Sequence, residues 1–483
     1  YQTMSEVKAA LEQAFEQKMT VGPVEPQPSI AVLPFVNMSG DKEQEYFSDG
    51  LAEEIINALT QIPELKVIAR TSAFAFKGKQ EDIRKIAEAL SVTTLLEGSV
   101  RKVGSRIRIT AQLINASDGS HVWSERYDRD MTDVFAIQDE IAQAIATKLH
   151  RRLSLDRPLI KRHTENIEAY NLYLKGRYHF SKLTPEGVAK GKDYFEQALA
   201  IDPNYALAWF GLANFYDFSG NFGLMPPKAA DEQCRQAAAK ALELDPMLPQ
   251  IHSMLGVRHV LNYDWPAAEK EFHRAIELGA DLMDSWYFYT IFYLPPMKRV
   301  GEGISFWQKA AEIDPLSATP PHMLGHIYMM LRQYDRAIEQ SNQLLELKPD
   351  AWAANLGQGI SFLQIGKSED AVRSMEKAAQ FSGRLPLALG YLGSAYAQAG
   401  RVAQARKILD ELQELSHHMS VPQTVFALIH VTLGDLDNGF ECLEKAVNAH
   451  EGTFIQYSNA FPFDSLVSHP RYRALLRKMN LEA

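Results

Sequence analysis

The chain has 483 residues, of which 46% are apolar and 23% charged, so a disordered chain is excluded and several domains or one long repeat array are expected. Its formal net charge of −10 disfavours nucleic acid as the main partner. Two cysteines exclude a disulfide scaffold, and without an apolar run of 18 residues we expect no membrane insertion and a cytoplasmic location.

Residues 1–18 predict a short amphipathic helix, and residues 19–28 predict a Pro-rich linker. Because the chain begins at Tyr1 without an initiator Met, we expect a fragment of a longer protein. The eleven residues YQTMSEVKAAL resemble the last helix of bacterial serine/threonine kinase domains. This resemblance implies a kinase domain ahead of the chain; the alternative is an unrelated amphipathic helix.

Residues 29–154 alternate between strand and helix patterns. Within the predicted strand Arg106–Asn115, apolar and polar side chains alternate from Arg106 to Leu113, which is typical of a sheet with one covered face. The order β-α-β-α-β-β-β-α predicts an α+β domain with a small mixed sheet and helices. The predicted strands are Ile30–Phe35, Val67–Ala69, Thr93–Lys102, Arg106–Asn115 and His121–Tyr127, and the predicted helices are Phe47–Ile62, Glu81–Leu90 and Val134–Arg152.

Three stretches of this domain carry a resemblance to a known family. The phrases IAVLPFVNMSGDKEQEYFSDGLAEEI, VIARTSAFAFKG and LLEGSVRKVGSRIRITAQLINASDGSHVWSERYDRD resemble the TolB-like N-terminal domain family. The resemblance implies a bacterial signalling protein, in which such domains stand beside kinase, adenylate cyclase or winged-helix output domains, commonly followed by tetratricopeptide repeats. It implies no particular reaction.

The loop after the first predicted strand carries Asn37, Ser39, Asp41 and Asp49. Loops at this place in α/β folds often bind ligands. However, the loop lacks a glycine-rich phosphate cradle and a paired nucleophile and base, so we interpret these side chains as turn and helix-cap residues. We expect no catalytic residue and no cofactor; a small-ligand sensor is the alternative.

Beyond a connector at residues 155–166, residues 167–452 repeat with a period of about 34. Equivalent closing positions are separated by 43, 34, 35, 34 and 34 residues: Pro203, Pro246, Ala280, Pro315, Pro349 and Gly383. Each unit predicts two amphipathic helices, and the clearest is His322–Pro349. The residues Trp209, Leu212 and Tyr216 resemble the first half of the tetratricopeptide signature. We therefore expect about eight repeats in an all-α superhelical solenoid, with residues 453–483 as its cap.

The tetratricopeptide resemblance implies a concave groove that binds a protein or peptide partner. Its register implies that the lining is mostly apolar and aromatic, which favours an apolar or aromatic peptide, or the chain's own neighbouring domain, over a carboxylate ligand. His322 and His326 have the i, i+4 spacing that can hold a metal, but no Glu lies between them, and we expect no metal. The implied groove residues are Phe210, Asn214, Asp217, Tyr287, Ile291, His322, His326, Met329, Leu356, Ile360 and Leu363.

These observations predict a non-catalytic sensory or scaffolding region. It would bind its partner in the solenoid groove and regulate a linked N-terminal output domain, a serine/threonine kinase. The alternatives are the regulatory region of an adenylate cyclase or of a winged-helix transcription regulator. A homodimer is left open.

Overall fold

The computed structural model describes residues 27–39, 41, 44–62, 64–149, 163–182, 184–221, 225, 227–279 and 283–481. They fall into two compact units, one within Tyr1–Met38 and Leu51–Ile160 and the other within Ser39–Gly50 and Lys161–Ala483. The predicted stub, most of the linker and most of the connector lie outside the described residues. The predicted fold class is confirmed: a small mixed sheet with helices precedes a helical solenoid.

The α+β unit is built on one mixed sheet with strand order β3-β1-β4-β5-β6. Strand β1 runs parallel to β3 and β4, whereas β4, β5 and β6 pair antiparallel. A short strand that the sequence pattern did not predict, β2, pairs parallel with β4. The strands are β1 Ser29–Val32, β2 Val36–Asn37, β3 Lys66–Val67, β4 Thr94–Val103, β5 Arg106–Asn115 and β6 His121–Asp130; the helices are α1 Glu45–Thr60, α2 Arg70–Phe74, α3 Ile83–Leu90 and α4 Val134–Lys148.

The alternation in β5 sorts its side chains onto the two faces of the sheet. Ile107 and Ile109 are fully buried, and Ala58 of α1 packs against Ala142 of α4. The polar side chains of β5 are exposed or half-buried and include Arg108, whose guanidinium pairs with Asp128 of β6 at 2.5 Å. Apolar burial on one face and cross-strand ion pairs on the other explain why this strand keeps its register.

In the part of the repeat unit that the structure describes, eight consecutive helix pairs are followed by two further helices. The pairs are α5 Ile167–Phe180 with α6 Pro185–Ile201, α7 Ala206–Asn221 with α8 Pro227–Leu244, α9 Pro249–Leu261 with α10 Trp265–Leu278, α11 Met283–Phe288 with α12 Ile304–Ile313, α13 Thr319–Met330 with α14 Tyr334–Leu347, α15 Trp352–Gln364 with α16 Ser368–Phe381, α17 Pro386–Gln398 with α18 Val402–Leu415, and α19 Gln423–Thr432 with α20 Leu436–Asn448; the last two helices are α21 Gly452–Tyr457 and α22 Pro470–Lys478. Helix α11 continues into a π-helical turn, Tyr289–Tyr293.

The turn between the two helices of a pair has the same backbone geometry in six successive repeats. One residue adopts the left-handed conformation, with φ between 59° and 78°, and the next N–H donates to a carbonyl five residues earlier at 2.8–2.9 Å. This is the Schellman arrangement, which satisfies carbonyls at a helix end. Its recurrence gives these six pairs the same backbone geometry where the first helix ends. The left-handed residues are Tyr263, Lys298, Arg332, Gly366, Gly400 and Gly434.

Candidate partner-binding groove

The predicted groove residues of the second repeat, here called the early groove positions, are Phe210, Asn214 and Asp217 on α7. All three are half-buried. Asp217 accepts a hydrogen bond from Arg258 of α9 at 3.3 Å, and the same guanidinium pairs with Asp231 of α8. Asp217 therefore joins neighbouring repeats, which leaves Phe210 and Asn214 as the early positions best placed to meet another molecule.

The remaining predicted groove residues, here called the late groove positions, lie on the first helices of repeats four, five and six. Six of the eight belong to or pack against one continuous apolar cluster that also contains Phe454, Ile455 and Phe463 from beyond the last repeat. The chain's own C-terminal residues thus pack in this half of the groove. The late groove positions are Tyr287, Ile291, His322, His326, Met329, Leu356, Ile360 and Leu363.

The segment that packs there is Gly452–Leu466, here called the C-terminal segment. It consists of α21, a loop and a 3-10 turn at Phe463–Leu466. The Tyr457 ring centre lies 6.0 Å from that of His326 and 5.8 Å from that of Tyr391, both edge-to-face. Such aromatic contacts contribute about 0.5–1.5 kcal/mol each beyond area burial.

Polar contacts fix the C-terminal segment on either side of Tyr457. The side-chain amide of Asn459 donates to the carbonyl oxygens of Pro295 and Pro296 at 3.0 and 3.4 Å. Asp464 accepts from Arg332, the left-handed residue of the fifth repeat, at 2.9 Å. The segment therefore contacts the fourth, fifth and seventh repeats through named bonds and rings.

The end of the chain returns to the third repeat. The Tyr263 hydroxyl donates to the carbonyl of Val447 at 2.9 Å, and the Asn480 amide donates to the carbonyl of Tyr263 at 3.2 Å. His450 bonds to the carbonyl of Leu261 at 2.6 Å. The third repeat therefore contacts the eighth repeat and the residues after it directly, which repeats in an open stack would not do.

Burial controls the charge of the two groove histidines. Desolvation lowers the pKa of His322 to about 4, and desolvation together with His322 lowers the pKa of His326 to about 3. Both imidazoles are therefore neutral near pH 7. The Nε2 atom of His326 and the hydroxyl of the fully buried Tyr391 have no hydrogen-bond partner among the described residues.

Neither a metal centre nor a membrane span is found in the part of the chain that the structure describes. There, no three His, Cys, Asp or Glu side chains come together in a way that could hold a metal ion. None of the described helices combines the length and the apolar character needed to cross a bilayer. Burial raises the pKa of the Cys234 thiol, so this cysteine is a packing residue rather than a nucleophile.

The groove register stays a prediction from the sequence, which did not indicate that the C-terminal segment contacts the late groove positions. The available signal was the density of aromatic side chains in GTFIQYSNAFPF, directly after the last repeat. The sequence predicts a cap over residues 453–483. In the structure, Asn459 of this stretch donates to the carbonyl of Pro295, and Asp464, the residue directly after the stretch, pairs with Arg332.

Comparison with protein-family models decides the nature of the repeats. Residues 194–224, 322–386 and 357–417 match tetratricopeptide repeat models. The helical region contains tetratricopeptide repeats. Residues 26–144 match the model described as HilA/YgeH-like transcriptional regulator, second domain. That match covers nearly the same residues as the TolB-like resemblance, which stays a prediction.

Two curated relatives extend beyond single repeats. "Putative adenylate cyclase 3" of Rhizobium meliloti (strain 1021) is 40% identical over 235 residues, which are 48% of this chain and 40% of that protein. Transcriptional regulator HilA of Salmonella typhimurium is 21% identical over 418 residues, 83% of this chain and 67% of HilA. The chain thus spans less than half the length of the cyclase relative.

Two solved structures are similar to parts of this chain. The APC/C hetero-tetramer Cut9-Hcn1 is 18% identical with a TM-score of 0.38, covering 55% of this chain and 54% of that one. YrrB, a TPR protein with an unusual peptide-binding site, is 20% identical with a TM-score of 0.29, covering 40% and 95%.

Proposed function

We propose that this chain is a non-catalytic region that binds a protein partner and regulates an output domain in the same polypeptide. The observation that carries the proposal is the stack of eight helix pairs, parts of which match tetratricopeptide models. Stacked helix pairs of this kind present an extended concave surface, and binding on that surface is how such repeat proteins work.

The early groove positions are the surface that we assign to the partner. Among the late positions, His326 contacts Tyr457 of the chain's own C-terminal segment, whereas Phe210 and Asn214 are half-buried on the first helix of the second repeat. A peptide that lays an apolar side chain on the Phe210 ring and bonds to the Asn214 amide fits this pair. Such a peptide would bind as a helix or extended strand in the groove.

Adenylate cyclase is the output that the comparisons favour, because the relative with 40% identity bears that name. A transcriptional regulator is the second candidate, because the HilA alignment covers 83% of this chain and the HilA/YgeH-like model matches residues 26–144. The kinase output predicted from Tyr1–Leu11 rests on residues that the structure does not describe, and it stays a prediction.

The test starts from partner capture with the full chain, followed by titration of the purified partner against variants. Phe210→Ala and Asn214→Ala should each weaken binding at least tenfold. Phe381→Ala is the matched control, because Phe381 is 42% exposed at the end of a second helix, α16. Unchanged affinity in both groove variants would overturn the groove assignment.

The regulatory half of the proposal needs a separate readout. In the longer protein, cyclic AMP production should respond to the partner in the wild type and lose that response in Phe210→Ala. A transcriptional reporter replaces the cyclase assay for the second candidate. If the output keeps its full response to the partner in Phe210→Ala, binding at this surface does not regulate it.

A further inference from the structure

The C-terminal segment contacts the late groove in the way that a bound peptide would. Tyr457 packs between the rings of His326 and Tyr391. Four positions later, Phe461 borders a small cavity with Met329 and Ile360. Three positions further, the Asp464 carboxylate pairs with Arg332 at 2.9 Å. The segment thus presents two aromatic anchors and one acidic anchor.

The packing leaves hydrogen-bonding capacity unused at the centre of this contact. The Nε2 atom of His326 and the hydroxyl of Tyr391 are buried, and no described residue bonds to either. Both rings contact Tyr457. A buried polar atom without a partner costs about 1–3 kcal/mol. A different occupant that carried a donor or acceptor at this place would gain that free energy.

The helix beneath the segment departs from regular geometry where the segment meets it. The π-helical turn Tyr289–Tyr293, which contains Ile291, contacts α21, and Gly452 lies against Phe292. Single π-helical turns often coincide with functional sites. Here the turn coincides with the place where the groove receives a ligand-like segment.

We propose that the late groove is a second peptide-binding site and that Gly452–Leu466 is its built-in ligand. The partner is a peptide with two aromatic side chains four positions apart and an acidic residue three positions after the second. It displaces the C-terminal segment and forms hydrogen bonds to the Nε2 atom of His326 and the hydroxyl of Tyr391, which the segment does not form. This inference rests on the proposed role of the solenoid as a protein-binding scaffold.

Competition with a tethered segment determines the expected affinities. A segment in the same chain acts at an effective concentration in the millimolar range, so a free peptide of the same sequence binds the wild type weakly. Loosening the tethered segment raises the open population and tightens the apparent affinity by the same factor. The side chains to alter are Tyr457 and Asp464, because one supplies the ring contacts and the other the ion pair.

The probe is a fluorescein-labelled, end-blocked peptide with the sequence of residues 452–466, titrated against the full chain by anisotropy. Tyr457→Ala in the full chain should tighten its binding at least tenfold, and Asp464→Asn, which weakens a partly exposed ion pair, should tighten it about two- to fivefold. Asp464→Asn removes one charge at constant side-chain size, so it tests the inference even where Tyr457→Ala does not fold. Arg401→Ala is the control, because it removes an ion pair with Glu369 that lies away from the segment.

Two outcomes would overturn the inference. The first is that the peptide binds neither Tyr457→Ala nor Asp464→Asn. The second is that the peptide binds these two variants, the wild type and Arg401→Ala with the same affinity. Amide hydrogen exchange on the wild type gives an independent reading, since residues 452–466 should exchange faster than α13 and α15. Partner binding at Phe210 and Asn214 is measured separately. A C-terminal segment that does not exchange would therefore leave the proposed partner binding at the early groove positions unaffected.

Discussion

Trp265 of the third repeat donates its indole N–H to the backbone carbonyl of Met479 at 2.8 Å, across 214 positions of sequence. Both residues are buried, with exposed fractions of 6% and 0%. In an open solenoid each repeat contacts only its neighbours. This bond instead ties α10 to the end of α22, so the repeats between them share long-range contacts. We expect repeats three to eight to unfold as one cooperative unit.

The first prediction concerns that bond. Trp265→Phe keeps an aromatic ring but removes the N–H, and the buried carbonyl of Met479 loses its donor. An unsatisfied buried carbonyl costs about 1–3 kcal/mol. We expect a loss of that size in the free energy of unfolding, measured by urea titration. If the contact between α10 and the end of α22 is lost altogether, the single unfolding transition should separate into two.

Trp209→Phe is the matched control for this prediction. The Trp209 indole also donates to a backbone carbonyl, that of Pro203 at 2.9 Å, but the bond is exposed to solvent. Water can replace the lost partner there, so we expect a change below about 1 kcal/mol. Equal losses in the two variants would contradict the role assigned to the buried bond.

The sequence predicted most of the fold because local patterns determine it. A period of 34 residues specifies stacked helix pairs, and the alternation in Arg106–Asn115 specifies a half-covered strand. Element ends were less certain: Asp49 was expected to cap the helix that in fact begins at Glu45. The two-residue strand Val36–Asn37 is too short to carry a pattern of its own.

The site was predicted only as a register of positions. The repeat pattern predicts that first-helix positions such as Phe210 and His326 lie on a concave face, and this stays a prediction. The occupant of the late groove depends on contacts such as Arg332 with Asp464, across 132 positions. No local periodicity encodes a contact of that range, so the pattern could not reveal which part of the groove is free.

The second prediction compares two glycines on first helices. A Cβ at Gly393 would lie 2.4 and 2.7 Å from atoms of the fully buried Ile429, whereas a Cβ at Gly325 would meet nothing nearer than 3.5 Å. The spacing at Gly325 is ordinary, and Gly393 is the tight position. Overpacking a core typically costs about 1–3 kcal/mol.

Gly393→Ala should therefore lower the free energy of unfolding by about 1–3 kcal/mol. Gly325→Ala should leave it unchanged or raise it by up to about 1 kcal/mol, because Ala favours the helix over Gly. Both are measured by urea titration of the full chain. A destabilisation in Gly325→Ala as large as in Gly393→Ala would contradict the packing described here.

The third prediction follows from the two buried histidines. An imidazole in the unfolded chain has a pKa near 6.5, whereas burial lowers the pKa of His322 to about 4 and of His326 to about 3. Below pH 6.5 the unfolded chain therefore binds protons that the folded chain does not bind. Stability is fully present above about pH 6.5 and falls as the pH drops toward the folded values.

Between pH 7 and pH 5, each histidine should reduce the free energy of unfolding by about 2 kcal/mol. His326→Gln removes one titrating group, so its loss of stability over this range should be about 2 kcal/mol smaller than that of the wild type. The measurement is urea titration at both pH values, compared with His418→Gln, whose side chain is 75% exposed. A pH dependence in His326→Gln as steep as in the control would show that the His326 imidazole becomes protonated in the folded chain, which requires the C-terminal segment beside it to open.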